Sequence, residues 1–203
     1  MYMKIKKYWP IKSVLLASLF LATGLLCYDA SAEDYFKETK VKAESGDAAA
    51  QYTLGLMYDE GEGVEKDYTS AVKWYLKSAE QNHSWAQFNL GISYYKGEGV
   101  EKDYAEAVKW WRKSAEQNNS SAQFNLGISY FKGEGVEKDY AESFKMTRKA
   151  ADQNHADAQF NLGLKYFNGQ GVDKDYAEAA KWYRKASEQG IDEATHKLRK
   201  LKI

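Results

Sequence analysis

The chain has 203 residues, 29 of them basic and 29 acidic, so its formal net charge is zero, and it carries 15 Gly against one Pro and one Cys. Balanced charge argues against a nucleic-acid binder, which needs a basic surplus to displace counterions from phosphate. A single Cys excludes a disulfide framework and any multi-thiolate metal site, so no cofactor or metal is expected.

Residues 1–32 differ in character from the rest of the chain. Lys4, Lys6, Lys7 and Lys12 precede a 15-residue, largely apolar run from Val14 to Tyr28, and Ala30-Ser31-Ala32 closes it. This is the three-part pattern of a secretory signal, and the run is shorter than the ~20 residues a spanning helix needs. The sequence predicts cleavage after Ala32, a mature chain beginning at Glu33, and no membrane span within it. Leu26 stands before Cys27, where a lipobox needs a small residue, so lipidation is not expected. The mature chain would hold 25 basic and 28 acidic residues, net −3, with neither Cys nor Pro.

From Ala48 onward the sequence repeats every 36 residues, as units 48–83, 84–119, 120–155 and 156–191, and the middle two agree at 27 of 36 positions. Residues 33–47 align with a second half unit and read as an N-terminal cap. Residues 192–203 align with a first half unit and read as a C-terminal capping helix. Within a unit, Ala86, Leu90, Gly91 and Tyr94 fall on one stripe of a first helix. Gly55, Gly91, Gly127 and Gly163 recur inside that helix although Gly costs ~1 kcal/mol there against Ala, which implies a close helix–helix approach. The loop Gly97-x-Gly99-Val100 offers backbone shapes that β-carbons forbid.

The second helix opens on Asp67, Asp103, Asp139 or Asp175 as N-cap, and Glu106, Glu142 and Glu178 at N3 predict capping boxes. Its inner stripe is Tyr104, Ala107, Val108, Trp111 and Ala115. It stops at a column of Gly46, Asn82, Asn118, Asn154 and Gly190, the two residue types that best accept a left-handed cap. One hairpin cannot bury both stripes, so units must stack. The predicted fold is all-α: an α/α superhelical solenoid of tandem 36-residue helix-turn-helix repeats.

The unit carrying Ala86, Leu90, Gly91, Tyr94, Gly97, Gly99, Val100, Asp103, Ala107, Trp110, Lys113, Ala115, Glu116 and Gln117 resembles the Sel-one-like repeat family, a relative of the tetratricopeptide repeats. The resemblance implies an adaptor or scaffold for protein complexes, and bacterial members are often exported. Some secreted members with cysteine pairs in each repeat are associated with penicillin binding or hydrolysis, and this chain lacks those cysteines.

Candidate chemistry reduces to a few positions. Ser70-Ala71-Val72-Lys73 matches the S-x-x-K nucleophile string of penicillin-recognising enzymes, but Ser70 occupies the N3 column of Glu106, and no S-D-N or K-T-G follows. His83 and His155 lie two units apart, and His196 aligns with Phe88 and is expected half-buried; no metal site can be drawn from the three. Glu98, Glu101, Glu134 and Glu137 read as a solvated rim rather than an acid–base pair.

The amide columns Asn89, Asn125, Asn161 and Gln87, Gln123, Gln159 lie on the first helices. They suit either an extended partner backbone or bonds between neighbouring helices. Trp85 is an apolar ring at a unit corner, fit to anchor a partner. The third unit departs from its siblings, with Ser143, Phe144, Met146 and Thr147. Either Phe144 refills the volume lost at 147, or the groove changes shape or flexes there. The reading is an exported, non-enzymatic repeat protein, periplasmic or secreted, that binds a protein or peptide partner; a bacterial source fits the leader and the resemblance. A penicillin-binding or β-lactam-hydrolysing protein and a structural envelope spacer are the alternatives.

Overall fold

The computed structural model describes the backbone of residues 24–201 and the side chains of residues 31–201; the basic segment and most of the apolar run of the leader lie outside the described residues. Ten helices and no strand occur among them: α1 (Gly24–Glu44), α2 (Ala48–Glu60), α3 (Tyr68–Glu80), α4 (Ser84–Lys96), α5 (Tyr104–Glu116), α6 (Ser120–Lys132), α7 (Tyr140–Asp152), α8 (Ala156–Asn168), α9 (Tyr176–Glu188) and α10 (Asp192–Leu201). The even-numbered helices α2 to α8 are first helices and the odd-numbered α3 to α9 are second helices. By register α1 stands as a second helix and α10 as a first. Each helix packs on its neighbours in sequence, so the molecule is a one-dimensional stack.

Helix ends follow from the cap chemistry. The Asp103 carboxylate accepts from the amides of Ala105 and Glu106 at 2.8 and 3.0 Å, and Asp67 and Asp139 do the same. Asp175 accepts from Glu178 at 2.9 Å. The return arm of the expected capping box is not made. The Asp103 amide already donates to the Tyr94 carbonyl at 2.9 Å. Glu106 therefore turns outward to Lys109 at 2.9 Å, as Glu142 does to Lys145 and Glu178 to Lys181. At the stops, Asn82, Asn118 and Asn154 take φ of 66°, 62° and 65°, and Gly46 and Gly190 take 99° and 85°. The next residue caps the following first helix: Asp47, His83, Asn119 and His155 each accept from the amide three residues on.

Two glycine columns set the packing distances. A β-carbon on Gly91 would fall 2.5 Å from the Trp111 ring and 3.1 Å from the Ala107 carbonyl oxygen, and Gly55 and Gly163 face the Tyr75 and Tyr183 rings in the same way. Second-helix aromatics thus lie flat on a bare patch of first-helix backbone. The second loop glycine joins repeats instead. Gly99, at φ +75°, sits directly on the Tyr68 carbonyl of the preceding second helix, and Gly135, Gly171 and Gly63 sit on Tyr104, Tyr140 and Ala32. Ala32 lies inside α1, at the position equivalent to Tyr68. A chain starting at Glu33 would therefore begin at the second residue of this helix unit.

The buried interior is a row of leucines, alanines and rings: Leu54, Leu90, Leu126 and Leu162 with Ala71, Ala107 and Ala179 and the rings of Tyr75, Trp111 and Tyr183. Gly91→Ala should destabilise the protein by about 1–3 kcal/mol in urea unfolding, because the overpacking against Trp111 outweighs the ~1 kcal/mol of helix propensity that Ala gains.

Candidate functional site

The two amide columns on the first helices have different environments. Gln87 is buried. Its Nε2 donates to the Ala79 carbonyl at the end of α3 (3.1 Å) and to Asn82 Oδ1 (3.1 Å). Its Oε1 accepts from Gln117 Nε2, at the end of α5, at 2.8 Å. One side chain therefore ties its own helix to both flanking second helices. Gln123 repeats this between Ala115 (3.3 Å) and Gln153 (2.7 Å). Gln159 repeats it between Ala151 (3.4 Å) and Gln189 (2.7 Å), and Gln51 between Ala43 (3.1 Å) and Gln81 (2.8 Å). Gln87, Gln123 and Gln159 are thus corrected from candidate partner contacts to seam residues: they are out of solvent and their amides are occupied. Sequence reading missed the second column, Gln81, Gln117, Gln153 and Gln189. Its signal is the constant 30-residue offset from the first.

The Asn column is not used in this way. Asn125 is 7% exposed, and its Nδ2 has no hydrogen-bond acceptor among the described residues. Asn89 and Asn161 are half-buried at the equivalent places. The Asn89 amide lies beside the hydroxyls of Tyr52 and Tyr75. Burial pushes Tyr52 up to about 12, and the amide acts in the opposite sense. In the first repeat, Thr53 stands in the column and donates back to the Ala49 carbonyl at 2.9 Å.

Trp85 sits one turn before Asn89 on the same face of α4, since i and i+4 share a face. It is 48% exposed, and its ring meets Phe88 edge-on at 5.7 Å. The Asn row and Trp85 form a half-buried polar strip with an exposed aromatic at one corner.

The remaining candidates have structural roles. The Ser70 hydroxyl donates to the Asp67 carboxylate at 2.6 Å, completing an N-cap. His83 and His155 cap α4 and α8 through Nδ1, at 3.2 and 3.3 Å from the amides of Ala86 and Ala158. They stack on Tyr52 and Phe124 at 4.8 Å. Burial pulls both imidazoles below the usual histidine range, while Asp47 and Asp157 pull the other way. His196 is exposed, not half-buried, because α10 turns that position to solvent. No cluster of three or more metal-ligating side chains occurs among the described residues. Among them, too, no helix is long and apolar enough to cross a membrane.

The third repeat's lost ring is not replaced by Phe144. The atoms nearest Gly127 belong to Thr147 and Ser143, and Phe144 packs edge-on against Tyr166 of the next repeat at 5.4 Å.

The Sel1 repeat pattern matches residues 48–83, 86–119, 120–155 and 156–191, well over half of the chain. The chain belongs to the Sel1-repeat family. Proteins of this family are generally scaffolds for protein–protein interaction and are typically non-enzymatic.

Among solved structures, this Sel1-repeat chain is similar to c5321, a protective antigen of uropathogenic Escherichia coli with an SLR fold (45% identity, TM-score 0.79, 80% of this chain and 35% of that one). It is also similar to a Sel1 repeat protein from Oxalobacter formigenes (41% identity, TM-score 0.76, 87% of this chain and 73% of that one). Over 47 residues it is 45% identical to the sel1-like repeat-containing protein L18 of Acanthamoeba polyphaga mimivirus, covering 23% of this chain and 8% of that protein. The chain thus spans about a third of the E. coli protein and under a tenth of the mimivirus one.

The two amide columns predict opposite mutational signs. Gln123→Ala should cost about 1–3 kcal/mol, because the Ala115 carbonyl and the Gln153 amide lose their partner. Asn125→Leu should be neutral within about 0.5 kcal/mol or stabilising, because it removes a buried donor that bonds nothing. Urea unfolding of the two variants reads both.

The histidine caps predict an acid limb. With folded pKa below the unfolded 6.5, the folded state binds fewer protons, so their contribution is present above about pH 6.5 and is lost as pH falls below it. In thermal melts from pH 7 to pH 5, the double variant His83→Asn/His155→Asn should lose less stability than the parent. Asn keeps the cap, as Asn119 does, without titrating.

Proposed function

We propose that this protein is an exported adaptor that holds an extended segment of a partner protein along its first helices, with Asn89, Asn125 and Asn161 bonding the segment's backbone. One observation carries this reading: the Asn125 Nδ2 is buried with no acceptor among the described residues, whereas the Gln column two residues earlier is bonded on both sides. Leaving a buried donor unsatisfied costs about 1–3 kcal/mol, and turning the Asn125 side chain out to a peptide carbonyl laid on the strip would recover it. Asn suits this task because its amide both donates and accepts, matching a backbone that does the same. Repetition at 36 residues places one such amide on each of three successive first helices. Trp85, half-exposed at the strip's corner, would anchor an apolar side chain of the segment.

Export rests on the leader: the basic segment, the short apolar run and Ala30-Ser31-Ala32. It makes the periplasm or the extracellular space the site of action. Acyl transfer at Ser70 finds no support, since its hydroxyl proton is given to Asp67 and it serves as a cap.

The test is affinity capture from a cell-envelope extract, using residues 33–203 as bait. The parent should retain a saturable partner, and the Asn89→Ala/Asn125→Ala/Asn161→Ala variant should lose most of it while its melting temperature stays within a few degrees. Equal capture by both baits would sink the assignment of these amides.

A further inference from the structure

We propose that the seam between the third and fourth repeats is a joint built into the solenoid, kept loose by the Lys165 ammonium buried in it, so that α8–α10 open as one body against α2–α7. The equivalent positions in the first three repeats are Met57, Ser93 and Ser129, all buried and uncharged. Lys165 is 5% exposed. Its Nζ lies 2.6 Å from the Ser143 hydroxyl, whose own proton goes to the Gly127 carbonyl at 2.5 Å. It also lies 5.0 Å from the centre of the Phe131 ring. Ser143 replaces the Ala of the other three repeats, so the third repeat supplies the one hydroxyl that this cation bonds.

Among the described residues, no carboxylate answers the charge. On α7, Glu142 pairs with Lys145, Asp152 pairs with Arg148, and Arg148 also donates to the Tyr166 hydroxyl. On α9, Glu178 pairs with Lys181, and Glu188 is exposed. Beyond α6, Glu134 takes Lys132 and Tyr95. On α8 itself, Asp157 acts on His155, two turns away from Lys165.

A cation removed from water without an anion strongly disfavours the closed arrangement. Burial accordingly lowers Lys165 from 10.5 to about 8. One interface back from the seam, between α6 and α7 of the third repeat, a ring has been lost. Thr147 stands where Tyr75, Trp111 and Tyr183 cover their glycines, and its hydroxyl turns back to the Ser143 carbonyl at 2.7 Å. Opening returns the ammonium to water, and it separates the Phe144–Tyr166 and Phe124–His155 ring pairs that cross the seam. It also moves Asn161 relative to Asn125, so the strip can adjust its spacing, although the joint stands whether or not the strip binds a peptide.

Hydrogen exchange read by mass spectrometry on the full chain tests this. At pH 7, amides of α8–α10 should exchange together, faster than those of α4–α6. Lys165→Met, the residue of the first repeat, should slow α8–α10 by about tenfold or more while α4–α6 stay unchanged. Lys165→Ser, the residue of the second and third repeats, serves as a second variant.

The pH course separates the joint from simple end fraying. The closed seam holds fewer protons than the open one between about 8 and 10.5. After correction for intrinsic exchange, opening in the parent should therefore fall by up to about tenfold per pH unit from 8 to 10, and both variants should show no such fall. Parent-like exchange of α8–α10 in both variants, or the same pH course in all three, would overturn the joint.

Discussion

Each repeat depends on one buried glutamine. Its amide nitrogen holds the carbonyl at the end of the preceding second helix, and its oxygen holds the amide that closes its own. These two bonds fix the first helix between its neighbours at a set height and rotation. Apolar stripes alone would permit sliding, because burial is non-directional. A buried amide with both ends occupied does not, since a small shift leaves a donor and an acceptor unsatisfied. The glycine columns then set how closely the helices approach, and the left-handed stops set where each turns. The solenoid's geometry is thus specified by a few directional contacts repeated at fixed spacing.

Much of this was legible in the sequence. Period, helix starts and helix stops are local properties, and Asp103, Asn118 and Gly91 declare them through cap chemistry and propensity. What was not legible depends on which atoms are already taken. Glu106 has the right spacing for a capping box, but the amide it would reach is claimed by Tyr94 from the other helix. Gln87 and Asn89 are chemically alike and two residues apart. Helix rotation alone puts one in the seam and the other on the strip, and a 3.6-residue period resolves such a choice only when the partner helix is known. Lys165 reads as an ordinary surface lysine until its neighbours are in place.

The repeats are similar but not equivalent. Asp47, His83, Asn119 and His155 perform one capping task with three chemistries, so the stack has acid-sensitive and acid-insensitive starts. Ser143, Thr147 and Lys165 concentrate three departures around α7. In a stack where each unit touches only its neighbours, such differences stay local, and stability is distributed unevenly along the chain. A repeat protein can then vary one seam without redesigning the rest.

The loop glycines that rest on the preceding helix give the stack a direction. Gly99 seats on the Tyr68 carbonyl, so its docking surface is the first turn of a helix made earlier in the chain. The same holds for Gly135 and Gly171. A polypeptide synthesised or threaded through a pore from its N-terminus presents each surface before the loop that needs it. For this contact, growth from that end does not wait for a later segment. Assembly can therefore proceed in the order of emergence, each unit serving as the template for the next.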